Sequence, residues 1–245
     1  MILVRQKLTL GAIACVTLLF FLSFRSFAAY LAPVLNSDHA IHILMSYDLK
    51  LPQDLYYWGQ DRLGSLLPLL SHMLSRVFSL APVKAVSYIQ YFLILLGYLT
   101  LSSLFQNPIS KLLFALAWFL PLNYFLELLF IAQPYSPQFA TIGIAIVLIN
   151  QAGKTSDRNS IQTALLIGIS TLFLFISLWV SDLSIVILLI LLVAGGKAIY
   201  DKAMSASFEQ DSQFFKTLIT VDRKKFFPLV PAIGAAGVAT LTGLA

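Results

Sequence analysis

The chain has 245 residues, 59% of them hydrophobic and only 11% charged, with a formal net charge of +5 and a mean hydropathy of +0.86. A typical soluble domain carries about 25% charged residues, and one core of this size cannot enclose so much apolar surface, so a soluble enzyme, a disordered tail and a fibrous repeat are excluded. The single cysteine, Cys15, excludes a disulfide framework and a multi-cysteine metal cluster, and the basic residues stand between apolar runs, which ties them to membrane orientation and not to nucleic acid.

A helix needs about 20 mostly apolar residues to cross a bilayer. Seven runs are candidates, at 8–24, 86–105, 112–131, 139–152, 161–180, 183–200 and 226–245. The first follows Arg5 and Lys7 and precedes Ser26, Ala28 and Ala29, as a secretory signal would, and Cys15 has the look of a lipoprotein cysteine. Arg25 interrupts that pattern and many spans follow, which favours an uncleaved anchor. The short run at 139 is expected to start nearer Tyr135, with Pro134 and Pro137 marking its start, and Ser181 and Asp182 form a tight hairpin tip. The expected fold is an all-α integral membrane protein of about seven transmembrane helices. It divides into a first span (1–33), a long loop (34–84), a five-span bundle (85–200), a linker (201–225) and an incomplete last span (226–245).

The stretch 62–80 is apolar enough to span, but Arg62, Ser65, His72, Arg76 and Ser79 recur at helical spacing as one polar stripe. Such a helix lies in the interface plane, and Pro68 is expected to bend it. Charge supports this. If 62–80 does not cross and the N-terminus is cytoplasmic, Arg25, Lys50, Arg62, Arg76 and Lys84 face outward and the other 11 basic residues face the cytoplasm. The chain is then a multi-pass cell-membrane protein, with its longest non-crossing segment, 34–84, on the outer face.

That loop carries the chemistry. Asn36 or Ser37 suits the N-cap of a helix reaching about residue 50, with Asp38 in its first turn. Asp38 reads either as a capping residue or as an ionised general base. His42, four residues on, shares its face, so the two offer a carboxylate and an imidazole to a possible divalent cation; His39 and His42 also read as interfacial hydrogen-bonding residues. Tyr56, Tyr57 and Trp58 form either an aromatic belt or a platform for a sugar or lipid phosphate, and Arg62 can fork onto a phosphate. Glu127, in the 112–131 run beside Asn123 and Pro121, must face protein or a wet cavity, as an interhelical hydrogen bonder or a site residue. Asp182 reads as a turn residue on the same side as Asp38.

An outer-face acid in a short helix (Ser37-Asp38-His39-Ala40-Ile41-His42), followed by Tyr57-Trp58-Gly59-Gln60 with Gly64 soon after, resembles the GT-C superfamily, in its bacterial protein-mannosyltransferase-like branch. The Trp179-Val180-Ser181-Asp182-Leu183 tip and the Gln133-Pro134-Tyr135 loop are similar in position. The resemblance implies a membrane glycosyltransferase that moves a sugar from a polyprenyl-phosphate donor to an acceptor hydroxyl. Asp38 would be its base, with Tyr57, Trp58, Gln60, Arg62, His42, Glu127 and Asp182 on the substrate side. Relatives often place a second acid beside the first, where this chain has His39. They also continue further, so the chain reads as an amino-terminal membrane module or a truncated copy. The competing reading is a non-catalytic multi-span protein such as a transporter or flippase component. A transporter places ionisable groups at mid-depth on several spans, whereas Glu127 is the one intramembrane acid in this span assignment.

Overall fold

The structure, a computed structural model, describes residues 2–31, 37–60, 62–122, 126, 128–129, 131, 134–155 and 160–193. Glu127, the linker 201–225 and the run 226–245 lie outside the described residues, as does the 194–200 end of the preceding run. The described part is all-helical: α1 (Ile2–Phe27), α2 (Ser37–Tyr47), α3 (Leu66–Phe78), α4 (Pro82–Ser102), α5 (Pro108–Phe119), α6 (Tyr135–Thr155) and α7 (Ser160–Val180), then α8 (Ser184–Val193). The chain divides into two compact units, Met1–Ile144 with Trp179–Ser181, and Ala145–Leu178 with Asp182–Ala245.

Three helices are long and apolar enough to cross a membrane, within Leu10–Phe27, Pro82–Ser102 and Ile161–Val180. Helix α6 matches them in length, but Ser136, Gln138, Thr141, Asn150 and Gln151 dilute its apolar character. It does begin at Tyr135, as expected. The expected span 112–131 is not one helix. Helix α5 stops at Phe119, and Pro121 explains why: proline has no N–H for the helix ladder and drives the preceding residue out of the helical region. Leu120 sits at φ −130° and ψ 62°. At 12 residues, α5 is about 18 Å long, short of a bilayer core of about 30 Å.

Helix α3 covers only Leu66–Phe78 of the expected 62–80 stretch. Its 13 residues reach about 20 Å, too short to cross. Pro68 is the third helical residue, where the backbone N–H has no ladder partner anyway, so it fits the first turn without a bend. The polar stripe is not one wet face. Arg62 precedes the helix, Ser65 and Ser79 are its caps, and His72 is turned onto α2, where its Nδ1 lies 2.9 Å from the Ser46 carbonyl. Arg76 and Ser79 are exposed at the end of the helix, together with apolar Met73, Val77 and Phe78.

In the first unit, α1 leans on α4 and α5 through rings. Phe20 packs edge-on to Tyr91 at 5.9 Å and to Phe119 at 5.7 Å, and Phe24 edge-on to Tyr91 at 4.9 Å. The Tyr91 hydroxyl donates to the Ser23 carbonyl at 2.8 Å, which satisfies a phenol buried among apolar side chains. Trp118 Nε1 similarly donates to the Ile94 carbonyl at 2.9 Å. Leu67, Val86, Leu93 and Ala140 make a second cluster that joins α3, α4 and α6. Gly97 lets α4 close on its neighbours, since a Cβ there would lie 3.1 Å from the Trp118 ring and 3.4 Å from the Ala140 nitrogen.

In the second unit the predicted tip is a turn. Ile185 N–H donates to the Asp182 carbonyl at 3.1 Å, Ser177 Oγ donates to Ser184 Oγ at 2.7 Å, and Ser184 Oγ to the Ser177 carbonyl at 2.8 Å.

Tyr91→Phe removes both buried hydrogen bonds that its hydroxyl makes to Ser23, one with the carbonyl and one with the side-chain hydroxyl, while keeping the ring contacts. The expected loss is about 1 kcal/mol of stability, read as a lower thermal midpoint of the purified protein.

Candidate active site

The site is built by α2 and by the non-helical segment 48–65 that returns the chain to α3. Asp38 lies in the first turn of α2, where the helix dipole favours a carboxylate. Asp38 is exposed, its neighbour His39 is buried, and His42 on the next turn is half-buried. Burial pushes the His39 imidazole below its ordinary range, and the Asp38 charge opposes that only in part. His39 is therefore neutral at pH 7, which suits a packed side chain better than a cation beside the acid.

The segment after α2 folds on itself by satisfying its own backbone. Tyr57 N–H donates to the Leu63 carbonyl at 2.9 Å, Ser65 N–H to the Leu55 carbonyl at 3.0 Å, and Gln60 N–H to the Tyr57 carbonyl at 3.0 Å. A bridge pairs Tyr56 with Gly64, and Gly59 turns the chain at φ +80°, a conformation glycine adopts without cost. Asp54 is the hub that sequence reading missed. Its carboxylate accepts from Trp58 Nε1 at 2.7 Å and from the Lys50 N–H at 2.6 Å. Its carbonyl accepts from Ser65 Oγ at 2.6 Å. The only local signal was its spacing of four from both Lys50 and Trp58.

This loop carries Tyr57 back to α2. Tyr57 Oη donates to Asp38 Oδ1 at 3.2 Å across 19 residues of sequence, and its ring lies 5.0 Å from that of His42. Burial, then the Asp38 charge and the hydrogen bond to it, push the Tyr57 hydroxyl up to about 12. The phenol therefore stays protonated at neutral pH and keeps donating. Trp58 and Gln60 are exposed on the same loop, and Arg62 Nε donates to Gln60 Oε1 at 3.4 Å.

The structure thus gathers Asp38, His42 and Tyr57 into one contact group, with Trp58, Gln60 and Arg62 on the loop beside it. Asp182 is exposed in the turn of the second unit. Asp38 and His42 supply two donors, and among the described residues no group of three His, Cys, Asp or Glu side chains comes together. Comparisons with protein-family models, curated proteins and solved structures find no match for this chain.

The end of α7 closes the loop from the other side, because Gly64 N–H donates to the Trp179 carbonyl at 2.8 Å. A Cβ on Gly64 would stand 2.5 Å from the Trp179 ring, with the Trp179 backbone also in the way. Gly64→Ala is therefore expected to cost about 1–3 kcal/mol by overpacking, seen as a lower thermal midpoint and faster proteolysis between residues 48 and 65. Because the Asp38 charge helps hold the Tyr57 proton, Asp38→Asn should move the Tyr57 titration from about 12 toward 10. The wild-type shift contributes stability that is complete below pH 10 and is lost as pH rises from 10 to about 12. Phenolate absorbance, with Tyr57→Phe as the blank, reads both effects.

Proposed function

We propose that the chain is a multi-pass membrane glycosyltransferase that moves a sugar from a polyprenyl-phosphate donor to an acceptor hydroxyl, with Asp38 as the general base. The observation that carries this reading is the Asp38–Tyr57 contact with His42 beside it. An exposed carboxylate is held at a helix start by a fixed neutral phenol, in a loop rich in aromatic and amide side chains. The family resemblance of the Asp38 and Tyr57-Trp58-Gly59-Gln60 segments supports the same reading.

In the proposed reaction Asp38 takes the proton of the acceptor hydroxyl. The freed oxygen pair forms a bond to the anomeric carbon. The bond from that carbon to the lipid-phosphate oxygen breaks, and its electron pair leaves on the phosphate, with inversion at carbon. Arg62 answers the charge that develops there, while Trp58 and Tyr57 cover apolar sugar faces and Gln60 bonds sugar hydroxyls. Tyr57 donates to the Asp38 oxygen that does not take the proton, which orients the carboxylate.

The topology that fits this reading is multi-pass with a cytoplasmic N-terminus. The loop then lies at the outer face, where the sparse outward positive charge of the sequence also puts it. The alternative, a non-catalytic transporter component, has less support. Its mark would be ionisable residues at mid-depth on several spans, and along α4 no Asp, Glu, Lys, Arg or His occurs after Lys84, while α7 has none throughout.

Asp38→Asn keeps the side-chain shape and removes the base. Transfer from a polyprenyl-phosphate-linked sugar in proteoliposomes should fall by about 10²–10⁴-fold. Turnover equal to wild type would remove Asp38 from the chemistry.

A further inference from the structure

A polar hollow lies where the end of α2, the end of α3 and the start of α4 meet. It has a volume of about 460 Å³ and is lined by Ser46, Asp48, His72, Arg76 and Ser79, among others. We propose that this cavity binds the phosphate of an anionic phospholipid headgroup. The proposal is independent of the sugar-transfer reading and needs only that α4 crosses the membrane.

The lining has the chemistry of an anion site. Arg76 is a permanent cation able to fork onto phosphate oxygens. Asp48 does not cancel it, because its carboxylate is engaged by Lys50 Nζ at 2.8 Å. His72 spends Nδ1 on the Ser46 carbonyl, which can only accept, so that nitrogen donates and the bond fixes the ring at the edge of the cavity. Ser46 is 1% exposed, and its hydroxyl has no hydrogen-bond partner although it borders the cavity. A buried hydroxyl without a partner is costly unless something else satisfies it.

The backbone gives a further sign. Ser79 ends α3 in the left-handed conformation at φ 52°, where glycine would be free of strain. The strained residue carries a hydroxyl and lines the cavity, as strained residues at binding sites do.

Two observations select a lipid over a soluble phosphate. Pro82, also on the lining, is the first residue of α4, which is long and apolar enough to cross a membrane. If α4 crosses, its first turn sits at headgroup depth whichever way the protein faces. Met73 and Val77 are 57% and 73% exposed, and they lie one turn before Arg76 and one residue after it. A cation beside an exposed apolar stripe on a short helix matches a phospholipid, whose phosphate enters the cavity while its chains cover the stripe.

The test uses the full chain purified in detergent, with native mass spectrometry to count retained phosphatidylglycerol against phosphatidylcholine. Wild type should retain phosphatidylglycerol preferentially. Arg76→Gln should reduce that retention about tenfold, and Ser79→Gly about threefold, the latter without loss of thermal stability because glycine relieves the backbone. Arg25→Gln, which removes an exposed cation at the end of α1, should leave it unchanged. Equal retention in wild type and Arg76→Gln, or no preference for phosphatidylglycerol in wild type, overturns the proposal. Thermal stabilisation by inorganic phosphate equal to that by phosphatidylglycerol, and lost in Arg76→Gln, overturns the lipid assignment in favour of a soluble anion.

Discussion

Between α2 and α3 the chain leaves the helical ladder for some 18 residues, and every backbone group there must find a partner by other means. The placement of the candidate base against its phenol depends on how that requirement is met. Asp54 accepts from Lys50 and Trp58, its carbonyl accepts from Ser65, and Gly64 donates to the end of α7. Together these bonds fix a loop that would otherwise be free to swing at the cost of a few exposed contacts. Tyr57 is tied into the same loop through the Leu63 carbonyl and the Gln60 N–H, so its hydroxyl arrives at Asp38 by constraint and not by local preference. The same loop keeps Trp58 in one orientation, because its indole N–H is tied to Asp54 while its ring stays partly open at 37% exposure.

Burial sorts the two histidines near Asp38 into different roles. His39 is packed inward and held neutral, so it contributes shape and not charge. His42 packs on the ring of Tyr57, whose hydroxyl is bonded to Asp38. A second acid at position 39 would be a buried charge on that inward face, which is costly without a partner. A neutral imidazole at position 39 thus fits the local packing where a second acid would not.

Much of this architecture was legible in the sequence because hydrocarbon-length runs are one-dimensional signals. The 161–180 run, the start of α6 at Tyr135, the turn at Ser181 and Asp182, and Asp38 in a first helical turn all followed from local patterns. Three features did not. A window of apolar residues hides a single proline, so 112–131 read as one span although Pro121 ends α5. Helical spacing shows that Ser65, His72 and Ser79 share a face, but only the neighbouring α2 decides that His72 turns onto it while Ser79 stays exposed. The role of Asp54 lies in long-range bonds to Ser65, and no pattern announces those.

The distribution of polar groups argues for hydrocarbon as the surrounding medium. On α1, Leu10, Ile13, Leu18 and Phe21 are each more than half exposed, while Ser23 on the same helix is fully buried against Tyr91. Within the first unit Ser87, Gln90, Ser136 and Thr141 are also buried, and Ser136 Oγ donates to Gln90 Oε1 at 2.7 Å. In water this arrangement leaves large apolar faces unpaid while polar side chains crowd the interior. In a bilayer the costs reverse: exposed leucines cost nothing, and a buried serine or glutamine is safer facing another helix than facing lipid. The non-helical 48–65 segment fits the same logic. Its exposed Asp48, Lys50, Gln53, Gln60 and Arg62 need water or headgroups. A chain with apolar helices and one densely bonded polar loop therefore suits a setting where water and lipid meet.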